Sequence, residues 1–129
     1  LAAASRDRVQ DLEPSRDALV TVFLAALDTI GSHRSLFLFV SGGAGDDMAD
    51  RTLTLARRSA SALAELFRAW RTHLGLDASP VEPWSYAVIG MMNLVALWWV
   101  ESSDDPAPRL AEQLADLVWP GVSGESYRG

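Results

Sequence analysis

The sequence predicts an all-α fold, a bundle of about five helices, and two observations carry that prediction. Much of the 129-residue chain places apolar side chains three or four positions apart, which is the spacing of one helix face. No stretch shows the convincing alternation of apolar and polar residues that a half-buried strand requires. A chain of this length folds as one domain and buries about two-thirds of the surface that its unfolded form exposes.

The folded domain is expected to cover residues 15–122. Residues 1–14 have weak periodicity and are interpreted as the tail of a helix that enters from missing sequence, and residues 123–129 as a loose tail. The first helix of the domain begins after Ser15, whose hydroxyl can cap it, and stops at Gly31. Its apolar stripe consists of Leu19, Phe23, Ala26, Leu27 and Ile30.

Residues 36–40 form a short apolar run that is followed by SGGAG and two acids. This order suggests a strand leading into a phosphate-binding loop, but the G-x-G-x-x-G spacing is absent and no Lys-Ser or Lys-Thr pair follows. Asp46 and Asp47 also occupy the helix N-terminus that would bind the phosphate. The run is therefore interpreted as a short helix, and the glycines as its connection to the next helix.

Residues 46–75 predict a long amphipathic helix, because their apolar positions step by three and four residues without a break. The stripe consists of Ala49, Leu53, Ala56, Ala60, Leu63, Phe67, Trp70 and Leu74. The opposite side carries Arg51, Arg58, Glu65, Arg68 and Thr72. A solvated face explains this second set better than a basic binding patch does.

Two more helices complete the bundle. Ser79 and Glu82 have the spacing of a capping box, and the apolar helix that follows runs to about Ser102. The last helix is expected to be capped by one of the paired aspartates at 104 and 105 and to stop at Pro120.

The apolar helix raises the alternative of a membrane span, since residues 83–100 are uncharged and just long enough. Its flanks are acidic, at Glu82 and Glu101, and no basic residue lies beside it to set a topology. A helix that is buried on every side is therefore favoured over a helix that spans a membrane, and no membrane partner is expected.

Charge and residue content argue against several functions. The net charge of −6 disfavours a nucleic-acid surface, and the absence of Cys removes thiol chemistry and cysteine-bound metals. His33 and His73 lack ligand-type neighbours at helical spacing and are interpreted as residues of helix C-termini. No serine lies in a G-x-S-x-G elbow. We therefore expect no enzyme activity, no metal and no cofactor.

Five tryptophans and several Phe and Met residues are many for a small helical core. Bulky aromatic and adaptable Met side chains are typical of a pocket for an apolar or aromatic small molecule. The predicted lining, taken from the inward stripes of four helices, is Phe23, Leu27, Phe37, Leu63, Phe67, Trp70, Trp84, Val88 and Met91.

The order of the helices resembles the C-terminal effector-binding and dimerisation domain of TetR-family transcriptional regulators over roughly residues 15–124. HRSLF at residues 33–37 is similar to the family's short helix after the first long one, and LWWVE at 97–101 with LAEQLADLVWPGVSG at 110–124 is similar to its last two helices. The resemblance implies a cytoplasmic, ligand-controlled repressor that an effector releases from DNA. It also implies an N-terminal helix-turn-helix, to which nothing in this sequence corresponds.

The resemblance further implies a homodimer in which the last two helices of each copy form a four-helix bundle. The helix over residues 84–100 has no polar face, so one protomer has too few other helices to cover it. The predicted interface is Gly90, Asn93, Ala96, Leu97, Val100, Leu110, Leu114 and Leu117. The alternative is a free-standing helical module that binds an apolar molecule and has no role at DNA.

Overall fold

In a computed structural model, the described residues, 13–33 and 46–124, form four helices and no strand. They are α1 (Arg16–Ser32), α2 (Asp46–His73), α3 (Val81–Ser102) and α4 (Ala107–Ser123). The all-α prediction is confirmed. The expectations for the helix tail at 1–12, the short helix at 36–40 and the final five residues lie outside the described part.

Helix α1 begins where the sequence predicts. The backbone N–H of Ala18 donates to the Ser15 hydroxyl oxygen at 3.0 Å, which satisfies one of the free donors at the helix start. Leu19, Phe23 and Leu27 are buried along the face that points into the core. Helix α1 packs mainly against α4, and α2 packs mainly against α3.

Helix α2 ends in a Schellman turn at Gly75, close to its predicted end. Gly75 has φ +73°, the left-handed conformation that glycine adopts without a steric penalty. The N–H of Leu76 donates to the Arg71 carbonyl at 2.8 Å, and that of Gly75 donates to the Thr72 carbonyl at 3.1 Å. On the outer face of α2, Arg58, Glu65, Arg68 and Thr72 are exposed, which confirms the predicted solvated face for these four residues.

The capping box predicted for α3 is wrong. Ser79 instead donates its hydroxyl to the Asp77 carboxylate at 2.6 Å and its backbone N–H to the same group at 3.1 Å. These two bonds lower the pKa of Asp77, and the Arg71 charge adds to the effect. Pro80 stands at the N-cap position, and Pro83 lies in the first turn, where a missing N–H leaves no helix bond unmade.

Helix α4 differs from the prediction at both ends. Neither Asp104 nor Asp105 caps it, because Pro106 occupies the N-cap position without a side-chain cap bond. The helix also continues through Pro120 to Ser123, so the predicted stop is wrong. The extra turn places Val122 in the core, where it is 3% exposed. The free energy gained by burying this side chain offsets the cost of the helix hydrogen bond that proline removes.

Gly124 terminates α4 in a conformation that strains any residue with a side chain. Its φ of +71° is left-handed, and a Cβ built on it would lie 3.0 Å from Leu76 Cδ1. The close approach joins the end of α4 to the turn that follows α2.

Candidate functional site

The predicted ligand-binding residues come together in the core. Eight of the nine lie in the described part, whereas Phe37 lies outside it. Six are buried in one hydrophobic cluster: Phe23, Leu27, Leu63, Phe67, Trp70 and Val88. Met91 is half-buried and packs against this cluster. Trp84 is also half-buried and lies under the guanidinium of Arg71. The inward stripes of α1, α2 and α3 therefore meet as the periodicity predicts.

Three aromatic side chains define the centre of this site, which we call the aromatic cluster: Phe67, Trp70 and Trp119. The Phe67 and Trp70 ring centroids lie 6.1 Å apart with a tilt of 39°. The Trp70 and Trp119 centroids lie 6.0 Å apart with planes at 79°, an edge-to-face arrangement that aromatic quadrupoles favour. Trp119 is half-buried on α4 and belongs to the site, although the predicted lining omits it.

The indole N–H of Trp70 is buried and has no hydrogen-bond partner among the described residues. Trp70 as a whole is only 2% exposed. In contrast, Trp99 donates its indole N–H to the Asp105 carbonyl at 2.7 Å. Buried donors in folded proteins are nearly always paired, so the Trp70 N–H is an exception that requires a reason.

Arg71 links the end of α2 to the end of α4. Its guanidinium donates to the Asp77 carbonyl at 2.7 Å, and to the carbonyls of Val122 at 3.1 Å and Gly121 at 3.4 Å. It also lies 5.0 Å from the Trp84 ring centroid, in cation–π geometry. The charge therefore sits at the negative end of the α4 dipole and binds carbonyls that the helix leaves unpaired.

Sequence reasoning missed Arg71, although a signal was present. The residue follows Phe67 by four positions, so it lies on the inward stripe of α2 rather than on the solvated face. A charged residue on an inward stripe indicates a buried hydrogen-bonded role, because an unpaired buried charge is too costly.

A second feature is an apolar stripe on the outer face of α3, formed by Tyr86, Gly90, Leu94 and Trp98 and called here the exposed stripe. Tyr86, Leu94 and Trp98 are 52%, 70% and 49% exposed. The four residues follow one another at four-residue spacing, so they share one helix face. A Cβ built on Gly90 would have no atom within 4 Å, which leaves room for another backbone to approach.

The predicted interface residues divide between the surface of the protomer and its core, and only Gly90 belongs to the exposed stripe. Gly90, Asn93 and Leu117 are exposed, and Leu97 is half-buried. The other four are buried inside the protomer: Ala96, Val100, Leu110 and Leu114. On α3 the exposed face is therefore turned from the predicted one, because Ala96 and Val100 pack inward.

By length and composition, α3 could cross a membrane, and 28% of its most apolar window is buried within the domain. A core helix passes the same test, so this is weak evidence for a span. One protomer leaves the exposed stripe in solvent, which agrees with the expectation that a single copy has too few other helices to cover α3.

The histidines lie at helix ends, as predicted: His33 caps the C-terminus of α1, and His73 is the last residue of α2. Throughout the described residues, no group of three or more His, Asp or Glu side chains is placed to hold a metal ion.

Residues 5–127 match the family model described as tetracyclin repressor-like, C-terminal domain. The chain is also 24% identical over 124 residues to two uncharacterized HTH-type transcriptional regulators of Mycobacterium tuberculosis, from strains CDC 1551 / Oshkosh and ATCC 25618 / H37Rv. The match covers 96% of this chain and 51% of each relative, so the chain spans about half the length of these proteins. No solved structure matches significantly. Because the family model matches nearly the whole chain, and the described residues form only helices, this chain belongs to the tetracyclin repressor-like C-terminal domains.

Proposed function

We propose that this chain is the effector-sensing and dimerisation part of a ligand-responsive, cytoplasmic transcriptional repressor. The observation that carries the proposal is the aromatic cluster, buried where the helices meet in a chain of this family. Such a cluster suits an apolar or aromatic small molecule. The full-length protein would contact DNA through a separate domain, since the M. tuberculosis relatives are named HTH-type transcriptional regulators.

The proposed mechanism is a shift between two conformations of the dimer. The effector binds more tightly to the conformation in which two DNA-binding domains are misaligned with their half-sites. Because coupling is reciprocal, DNA weakens effector binding by the same factor by which the effector weakens DNA binding.

The exposed stripe supports the dimer. Leu94 and Trp98 are large apolar side chains in solvent on the face of α3 opposite Met92 and Ala96, which are buried. Leu117 adds a third exposed apolar side chain on α4. A second copy related by a two-fold axis would cover the same side chains in both protomers at once.

Aromatic and lipophilic compounds are expected to raise the melting temperature of this chain and to quench its tryptophan fluorescence. A ligand that binds only the folded state stabilises it by about 2.7 kcal/mol at a concentration of 100 Kd. Thermal scans with a compound panel, at fixed protein concentration, measure this shift. A panel that leaves both signals unchanged throughout would contradict the sensing role.

The chain on its own is expected to bind no specific DNA duplex. Its net charge is −6, and Arg58 and Arg68 lie exposed on α2 with the exposed acid Glu65 between them. Specific binding needs clustered cations that displace phosphate counterions. A mobility-shift assay with a pool of random duplexes at physiological salt checks this, and sequence-selective retardation would contradict it.

A further inference from the structure

We propose that the indole N–H of Trp70 is the polar anchor of the effector, which is therefore a neutral, largely apolar molecule carrying a carbonyl oxygen. The inference rests on the proposed effector-binding function and assigns a chemical class to the ligand of that site.

Trp70 carries a buried hydrogen-bond donor without an acceptor in the described part of the chain. Trp70 is 2% exposed, and its indole N–H finds no acceptor among the described residues. Leaving a buried donor unpaired costs more than a typical hydrogen bond returns, so the Trp70 N–H calls for an acceptor, and we assign that role to the effector. Ser85, which is also fully buried, is satisfied by donating to the Val81 carbonyl at 2.7 Å.

The surroundings of Trp70 indicate what the partner is. An N–H group requires an acceptor, and the rings of Phe67 and Trp119 beside it favour a flat apolar body next to that acceptor. A ketone, ester or amide oxygen on an aromatic or lipophilic molecule meets both requirements.

Charge in the core argues for a neutral ligand. Arg71 is the only buried charged side chain in the part of the chain whose side chains are described. Its guanidinium already serves three backbone carbonyls and the Trp84 ring. Among the described side chains, a ligand carboxylate would therefore find no free buried cation, and burying it unpaired is strongly unfavourable.

The test uses two pairs of probes that differ only in the acceptor: acetophenone with α-methylstyrene, and 2-acetylnaphthalene with 2-isopropenylnaphthalene. Each probe is titrated into the ¹⁵N-labelled chain, whose five tryptophans give five indole signals that Trp→Phe substitutions assign. The ketones are expected to bind about three- to tenfold more tightly than their alkene partners, the size of one neutral hydrogen bond. They should also move the Trp70 indole proton downfield.

Trp70→Phe removes the N–H and keeps an aromatic ring, so the ratio of ketone to alkene affinity is expected to fall to about one. Trp98→Phe is the matched control, because Trp98 is 49% exposed on the outer face of α3 and should leave the ratio unchanged. If Trp70→Phe does not fold, the Trp70 proton signal of the unmodified chain decides the question.

The outcomes separate the anchor from the proposed function. The anchor is overturned if the probes bind without preference for the ketone, or if the ketones bind and leave the Trp70 proton unmoved. Either result leaves the proposed effector binding in place and means that water satisfies the N–H. Failure of all four probes to bind would overturn the anchor together with sensing of aromatic molecules.

Discussion

Replacing Leu94 with arginine is expected to convert the proposed dimer into a folded monomer. Leu94 is 70% exposed at the centre of the exposed stripe, between Gly90 and Trp98, so the substitution leaves the protomer core untouched. In a two-fold interface the change occurs twice and buries two unpaired charges, each costing several kcal/mol. We expect the dissociation constant to rise at least about a hundredfold, or about 2.7 kcal/mol.

Analytical ultracentrifugation at micromolar concentration measures this change, and circular dichroism checks that the helices remain. The matched control is Leu55→Arg, which makes the same substitution at a leucine that is 65% exposed on α2. Arg58→Glu, on the solvated face, should also leave the dimer intact. A parent chain that sediments as a stable monomer, or a Leu94→Arg variant that remains dimeric, would remove this surface from the proposal.

The predicted interface residue Leu114 is less suitable for this experiment. It is only 7% exposed and belongs to the protomer core. A charge at position 114 would therefore destabilise the fold itself, and loss of the dimer would not identify the interface. The exposed stripe allows the two effects to be separated.

Arg71→Met is expected to lower the free energy of unfolding by about 2–4 kcal/mol, mainly because three carbonyls lose their charged donor. These are the carbonyls of Asp77, Gly121 and Val122. Methionine fills similar space but donates no hydrogen bond, and the cation–π contact with Trp84 is lost as well. Chemical denaturation at fixed protein concentration measures the change, because dimerisation also contributes to stability.

Arg68→Met is the control for this experiment. Arg68 is exposed on the same helix, three residues earlier, and its loss should change stability by no more than about 0.5 kcal/mol. Arg71→Lys should lie between the two, because an ammonium keeps the charge but lacks the planar fork that reaches several carbonyls. If Arg71→Met has the same free energy of unfolding as the parent chain, the hydrogen bonds of Arg71 between α2 and α4 do not stabilise the fold.

The sequence predicted that most of the proposed lining is buried, because burial follows from helix periodicity. Phe67 and Trp70 belong to the inward stripe of α2, and Phe23 and Leu27 to that of α1, and all four lie in one buried cluster although α1 packs mainly against α4 and α2 mainly against α3. Trp119 was not included, because the predicted lining was taken from the inward stripes of helices other than α4. The sequence could not show which tryptophan has a buried, unpaired N–H, since every tryptophan carries the same donor.

By itself, the sequence determined the helical class, the N-cap at Ser15, the solvated face of α2 and the family of the domain. These properties depend on residues one to four positions apart, or on the order of the helices along the chain. Tertiary structure alone decided which face of α3 is exposed, because a helix without a polar face carries no periodic signal of its orientation. It also decided that α4 continues past Pro120, since burial of Val122 and the hydrogen bonds from Arg71 come from residues distant in sequence and outweigh the local preference of proline to end a helix.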